Sequence, residues 1–217
     1  MIVARTMIGK HFQKKFGKTI HVHHHSSSKG GAEAKNTGIK ASLGKYIAFL
    51  DDDDLYAPNY LESAIRTLEE NPQLTTLFMG VSWFGRESEW AQNDYDNAMN
   101  KILADTKGIA ISKNLLQFDN SFFTALLKRI PMAFQRPVCK NQQLQQIGLY
   151  QNTLLWDCEW ALRASLNGTC GLLNEGLYHQ RTAGQGYSSK PSRRLDHMLS
   201  SLQIKKDLYS TPQAEPY

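Results

Sequence analysis

The run Lys45-Tyr46-Ile47-Ala48-Phe49-Leu50 stops abruptly in Asp51-Asp52-Asp53-Asp54. Six residues rich in aromatic and aliphatic side chains predict a strand buried on both faces, as found inside a parallel sheet. In open α/β sheets, ligands bind just beyond the carboxyl ends of the strands. Four adjacent carboxylates repel one another. Either water and salt screen them, or a hard divalent cation held by oxygen offsets them. Mg²⁺ and Mn²⁺ are commonly shared between carboxylates and phosphate oxygens, so the second case implies a phosphate-bearing substrate.

The flanking chain alternates helix and strand signals. Ile8, Phe12 and Phe16 give residues 7–18 a helical spacing. Residues 19–24 predict a strand in which alternation aims His21, His23 and His25 at one face. Residues 26–31 form a loop by composition, and a short helix over 32–41 carries Lys35 and Asn36. Pro58 opens a helix with Leu61, Ala64, Ile65 and Leu68 as its buried stripe, which Asn71-Pro72 stops. Residues 74–84 predict a second strong strand, 85–100 are polar and irregular, and 108–112 suggest a short strand. Phe122, Phe123, Leu126 and Leu127 predict a helix ending near Arg129. An extended piece over 132–134 and a helix over 138–147, capped by Gly148, follow. Residues 156–166 read as helix, and 170–178 as a strand leading into His179-Gln180-Arg181. A polar, glycine-containing loop over 182–191 precedes an amphipathic helix over 193–209. The alternation implies an α/β layer fold without internal repeats.

Composition narrows the partners. A chain of 217 residues with 41% hydrophobic and 21% charged residues is ordinary for a globular protein. A net charge of +5 suits an anionic partner. No block of Lys and Arg interleaves with aromatics, which argues against nucleic acid. A phosphorylated small substrate or an anionic membrane surface fits equally well. Cys139, Cys158 and Cys170 are odd in number and lack metal-ligand spacing, as expected of reduced cytosolic residues. No apolar run approaches the roughly 18 residues that span a bilayer. Arg5 interrupts the start too early for a signal peptide. The expectation is a cytoplasmic protein whose basic balance and last helix permit peripheral membrane contact.

Three stretches carry a family resemblance. Gly30-Gly31-Ala32-Glu33-Ala34-Lys35-Asn36-Thr37-Gly38-Ile39 and then Gly44 to Pro58 resemble the nucleotide-sugar half of family-2 glycosyltransferases. Gln146-Ile147-Gly148-Leu149-Tyr150 with Trp156-Asp157-Cys158-Glu159-Trp160-Ala161-Leu162-Arg163 is similar to that family's acceptor half. The resemblance covers roughly residues 18–186. It implies a GT-A fold, a mostly parallel sheet flanked by helices, with residues 1–192 as the catalytic domain and 193–217 as a C-terminal helix and tail. It also implies transfer of a sugar, with inversion, from a nucleotide-diphosphate sugar to a hydroxyl on a glycan, lipid-linked or protein acceptor.

The resemblance assigns roles. Asp51 and Asp53 form a D-x-D pair, with Asp53 on Mg²⁺ or Mn²⁺ and Asp51 or Asp52 reaching the ribose or the metal's waters. The alternative for this cluster is a solvated acidic turn. Asp157 is the catalytic base, with Glu159 as the substitute one register away; the alternative for Asp157 is a first-turn helix charge. His179 would be a third metal ligand and Arg181 a diphosphate contact, although Gln180 displaces that arginine by one position. Lys35 stands where the family commonly has Arg, before Asn36, and meets phosphate as a point charge. Gly184-Gln185-Gly186 belongs to a loop that closes over the donor.

Two departures matter. The family's opening strand–helix–strand unit, which binds base and ribose, has no counterpart before Lys18, so the fold is expected to be N-terminally incomplete. The strand at Ile47 would then lack a neighbour along a buried edge. Truncation, completion by another chain, or a degenerate relative that only binds nucleotide-sugar or glycan are the three outcomes, and weak or absent activity of the isolated chain is expected. Competing chemistries are a zinc or iron hydrolase built on His21, His23 and His25, and a phosphohydrolase using Asp51 as nucleophile. The phosphohydrolase pattern wants Thr or Val where Leu55 stands.

Overall fold

The computed structural model describes residues 14–15, 17–182 and 194–214, and in it a mixed sheet runs through the centre of the chain. Its strands are β1 (Tyr46–Ala48), β2 (Leu55–Tyr56), β3 (Thr76–Gly85), β4 (Ile109–Ala110), β5 (Leu115–Gln117), β6 (Pro137–Lys140) and β7 (Cys170–Thr182). Their order is β1-β6-β3-β7-β5-β4, with β2 pairing β7 off that path. The longest ladder, β3 with β7, is parallel, and the pairings around it are antiparallel. Helices α1 (Gly31–Ala41), α2 (Tyr60–Glu70), α3 (Ser88–Asp105), α4 (Ser121–Lys128), α5 (Asn141–Ile147), α6 (Trp156–Asn167) and α7 (Arg194–Tyr209) complete the layers.

The strand expected at 45–50 is shorter and differently placed. Only Tyr46–Ala48 pair, antiparallel to β6, at the sheet's edge. Ile47 and Phe49 are buried, while Leu50 is half exposed. Its outer side has no strand neighbour among the described residues.

Five further readings change. Residues 88–105 are helical, not irregular; Tyr95, Met99 and Ile102 bury one face at i, i+4, i+7 spacing. The helix over 138–147 begins at Asn141, because Pro137–Lys140 join the sheet between β1 and β3. Residues 132–135 form a 3₁₀ turn instead of an extended piece. The stripe of α2 is rotated by one position. Tyr60, Ser63, Ala64, Thr67 and Leu68 are buried, whereas Leu61 and Ile65 face solvent. The strand expected over 19–24 reduces to a single bridge residue, Val22, after a 3₁₀ turn at Gly17–Thr19. The helix expected over 7–18 and the loop over 183–191 fall mostly or wholly outside the described residues.

Two buried aromatic groups hold the layers. Phe118 and Phe122 stack at 3.9 Å, and Phe134 meets Phe78 and Phe122 edge-on at 5.3 and 5.1 Å, tying α4 and the 3₁₀ turn to β3. Tyr56 stacks on Tyr60 at 3.8 Å, with Tyr178 edge-on to Tyr56 at 5.6 Å. Each such side chain taken from water contributes about 1.5–3 kcal/mol. The tyrosine group fixes the end of β7 beneath the acidic run. The three cysteines are free, and burial pushes the Cys170 thiol up to about 12. Among the described residues no helix is long and apolar enough to cross a membrane.

Candidate active site

The acidic run is a tight turn, closed by the Asp54 N–H donating to the Asp51 carbonyl at 3.2 Å. Strand alternation therefore does not aim these side chains. Asp51 and Asp53 nevertheless line one cleft of about 1850 Å³, while Asp52 and Asp53 are exposed and Asp54 is buried. The same cleft takes in Gly30 and Gly31, Arg136, Trp156 and Asp157, and Gln180 and Arg181. Gly30 sits at φ 86°, a conformation open to glycine. A Cβ on Gly31 would come within 3.0 Å of the Trp156 ring. The two glycines thus let α1 start against α6.

Cations pin the turn from behind. Lys35 Nζ lies 3.0 Å from Asp51 Oδ1 and 4.7 Å from the Trp156 ring centroid. Arg136 Nη2 lies 3.2 Å from Asp51 Oδ2 and 3.7 Å from Asp54 Oδ2, and donates to Gln180 Oε1 at 2.9 Å. The Tyr178 hydroxyl donates to Asp54 Oδ2 at 2.7 Å and accepts the Asp51 N–H at 3.4 Å. The Arg181 N–H donates to Asp54 Oδ1 at 2.9 Å, and its Nε–H donates to the Asp53 carbonyl at 2.8 Å. Arg181 also lies over the Phe84 ring at 4.7 Å.

This wiring splits the carboxylates. Burial would raise the Asp51 carboxyl, but Lys35 and Arg136 outweigh it and hold it below the ordinary range. At Asp54 burial wins and raises the carboxyl, despite the Arg181 N–H and Tyr178. Burial lowers the Lys35 ammonium, with Asp51 opposing only in part.

The expected residues do not all converge. Asn36 is 5% exposed and spends both ends of its amide on Tyr150, donating to its carbonyl and accepting its N–H at 2.9 Å each. It anchors the Tyr150 loop and is not available to a donor. His179 pairs with Leu55 across the β2–β7 ladder and is not among the cleft residues. Glu159 is 2% exposed and forms a bidentate pair with Arg163, at 2.5 and 2.8 Å. That leaves Asp157 as the carboxylate of α6 in the cleft. Its Oδ1 accepts the Cys158 N–H at 2.9 Å, the first-turn bond expected of a helix-start acid. The Cys158 thiol also hydrogen-bonds this carboxylate, which enters no ion pair among the described residues.

Sequence reasoning missed Arg136, Asp54, Tyr178 and the use of Gln180. The signal for Arg136 was a lone charge inside the apolar stretch Met132 to Cys139. Such a charge needs a buried partner.

Among the described residues no three His, Cys, Asp or Glu side chains converge on a metal position. The histidine hydrolase reading therefore finds no cluster, and His25 Nε2 lies 2.8 Å from Thr37 Oγ1. Mg²⁺ and Mn²⁺ do not need such a cluster, because one or two carboxylates with water and substrate phosphates complete their shell. Asp53 suits that mode. Its carboxylate is exposed at the cleft and has no partner among the described residues.

Comparison with known proteins fits this arrangement. An uncharacterized glycosyltransferase of Rickettsia bellii is 55% identical over 47 residues, 22% of this chain and 7% of that protein. The Escherichia coli protein named UDP-Glc:alpha-D-GlcNAc-diphosphoundecaprenol beta-1,3-glucosyltransferase WfgD is 46% identical over 44 residues, 20% of this chain and 17% of that protein. The match thus spans well under a quarter of either relative's length. Among solved structures, the Pyrobaculum calidifontis mannosyltransferase PcManGT, in complex with GDP-Man and Mn²⁺, superposes with a TM-score of 0.56 at 15% identity. That superposition covers 98% of this chain and 56% of that one. S. aureus TarS gives a TM-score of 0.53 at 13% identity, over 82% and 49%. These likenesses show the GT-A fold. Residues 5–169 match the family described as Glycosyl transferase family 2, and with three quarters of its length so accounted for, the chain belongs to that family of glycosyltransferases.

Proposed function

We propose that the chain moves a sugar, with inversion, from a nucleotide-diphosphate sugar to a hydroxyl acceptor, using a divalent ion held by Asp53. The observation that carries this reading is that Asp53, its carboxylate without a partner among the described residues, and Asp157, the α6 carboxylate not held in an ion pair among the described residues, line the same cleft. The acceptor oxygen attacks the anomeric carbon from the side opposite the diphosphate. A carbon–oxygen bond forms as the bond to the phosphate oxygen breaks, the hydroxyl proton passes to Asp157, and the nucleoside diphosphate leaves. When bound, Mg²⁺ or Mn²⁺ neutralises charge building on the leaving diphosphate. Arg181, exposed at the cleft, adds a fixed cation there, and Asp51, which lines the cleft where Asp52 does not, reaches the ribose or the waters. Lys35 and Arg136 serve by holding Asp51 in place.

The Mn²⁺ and GDP-Man of PcManGT support the metal and the donor class, and the name of the E. coli relative supports a lipid-linked acceptor. Peripheral contact with an anionic membrane has its own support. Leu195, Met198, Leu199 and Leu202 form an exposed stripe on α7, opposite the buried Ile204 and Leu208, and Lys205 and Lys206 border it.

Calorimetric titration with UDP and Mn²⁺ tests the reading. Wild type binds UDP more tightly with Mn²⁺ than without, and Asp53→Asn loses that gain. Unchanged Mn²⁺-dependent affinity in the variant overturns it. Donor binding without turnover would instead favour a chain that only binds nucleotide-sugar or glycan.

A further inference from the structure

Part of the cleft lining has features that the donor chemistry does not use. It is built by the β3–α3 turn and the segment following α4. Trp90, in the first turn of α3, is 70% exposed and lines the cleft. Trp83, at the end of β3, lines the cleft too, and its indole N–H is buried without a hydrogen-bond partner among the described residues. Arg129, just past α4, has a buried Nε–H in the same unpartnered state. Its guanidinium meets no carboxylate among the described residues. Arg86 lines the cleft as well, exposed on the turn.

A buried donor without an acceptor costs about 1–3 kcal/mol, and two lining one cleft need an explanation. A large, exposed aromatic face costs hydration as well. One ligand class answers all of these at once. A sugar ring lays its apolar C–H face on indole and presents hydroxyl oxygens to the indole N–H. A phosphate takes guanidinium donors through paired, charge-assisted bonds. Lys35 and Arg136 are already committed to Asp51, so Arg86 and Arg129 are the uncommitted arginines in this part of the lining. Glu87 and Asp94 also border it, so its charge is mixed and the anion must sit at the arginines.

We propose that Trp83, Trp90, Arg86 and Arg129 form the acceptor subsite, and that the acceptor sugar carries a phosphate. This rests on the glycosyl-transfer reading for its role, but its binding chemistry can be tested separately. The probes are glucose 1-phosphate, its methyl phosphodiester and plain glucose, titrated calorimetrically without metal. Binding of UDP with Mn²⁺ is the control for the donor side and for the fold. Wild type binds at least one of the phosphorylated probes more tightly than glucose. Arg129→Gln weakens that binding by about 10- to 100-fold, Trp90→Ala weakens both sugar phosphate and glucose, and neither changes UDP affinity. Preference for the diester marks an acceptor linked through its phosphate to a longer molecule, and preference for the monoester marks a free sugar phosphate. The proposal is overturned if neither phosphorylated probe binds more tightly than glucose, or if Arg129→Gln leaves that affinity unchanged. It is also overturned if Arg129→Gln weakens UDP as much, for then the arginine belongs to the donor. Intact sugar-phosphate binding in a protein that ignores UDP and Mn²⁺ would instead sink the transferase reading and keep the subsite.

Discussion

Arg136 and Asp51 meet in a 3.2 Å ion pair whose arginine is 5% exposed, and the same nitrogen lies 3.7 Å from Asp54. One guanidinium therefore neutralises the back of the acidic turn, leaving the carboxylates at its tip to the cleft. Removing a single member of a buried ionic group strands the others, which costs more than the pair contributes. Arg136→Met is expected to lower unfolding free energy by about 3–5 kcal/mol. Arg136→Lys should lose less, since charge remains but the fork does not. Urea melts of both variants decide it, and equal losses would mean that shape, not charge, holds the turn.

Asp51 makes the same wiring readable in pH. Its carboxyl is held below the ordinary value of 3.8 in the folded chain, with Lys35 and Arg136 outweighing burial. A depressed carboxyl contributes stability above its unfolded pKa and loses it as pH falls through the folded one. Asp51→Asn should therefore destabilise most at neutral pH. The gap to wild type should begin to close as pH drops below about 4 and vanish once wild-type Asp51 is itself protonated. Melts across pH 2–7 measure this, and a gap that widens toward acid would refute the assignment.

Much of this was legible before any coordinates. The proline-opened helix, the strand over 74–84, the helix at Trp156 and the acidic run all carry strong local signals. The edge position of β1 was not readable, because an apolar run of six looks the same in a sheet's centre as at an edge covered by helices. The Asp51–Asp54 turn hid for a related reason: alternation predicts directions only while the chain stays extended. Helix α3 was readable but overlooked, since its buried Tyr95, Met99 and Ile102 are diluted by Asp and Asn. Arg136 could be noticed as an isolated charge, but its partners lie 82 to 85 positions earlier in the chain and only the fold brings them together.

Gly80 links the sheet to the site. A Cβ there would stand 2.6 Å from the Glu175 carbonyl oxygen, at the point where the β3–β7 register shifts between Met79 and Val81. That irregularity sets the path of β7 toward Tyr178, Gln180 and Arg181. Gly80→Ala must push backbone against backbone, at a cost of about 1–3 kcal/mol. It should also weaken binding of UDP with Mn²⁺, because the Arg181 N–H and the Tyr178 hydroxyl both hold Asp54. Loss of stability with untouched binding would show that the upper half of β7 is positioned independently of the bulge.

The two carboxylates of α6 should separate catalysis from stability. Asp157 lies in the cleft, its carboxylate met by the N–H and the thiol of Cys158 and by no ion pair among the described residues. Glu159 is buried against Arg163, which also donates to the carbonyls of Ile147 and Leu149 around the Gly148 turn. Asp157→Asn keeps the shape and the first-turn acceptor but cannot take a proton. Turnover should fall by about 10²- to 10⁴-fold, with donor affinity and melting point nearly unchanged. Glu159→Gln should do the reverse, lowering stability by about 3 kcal/mol or more while the turnover of the folded fraction persists. If the effects are exchanged, the base is Glu159, and the Arg163 pair must open for the reaction to proceed.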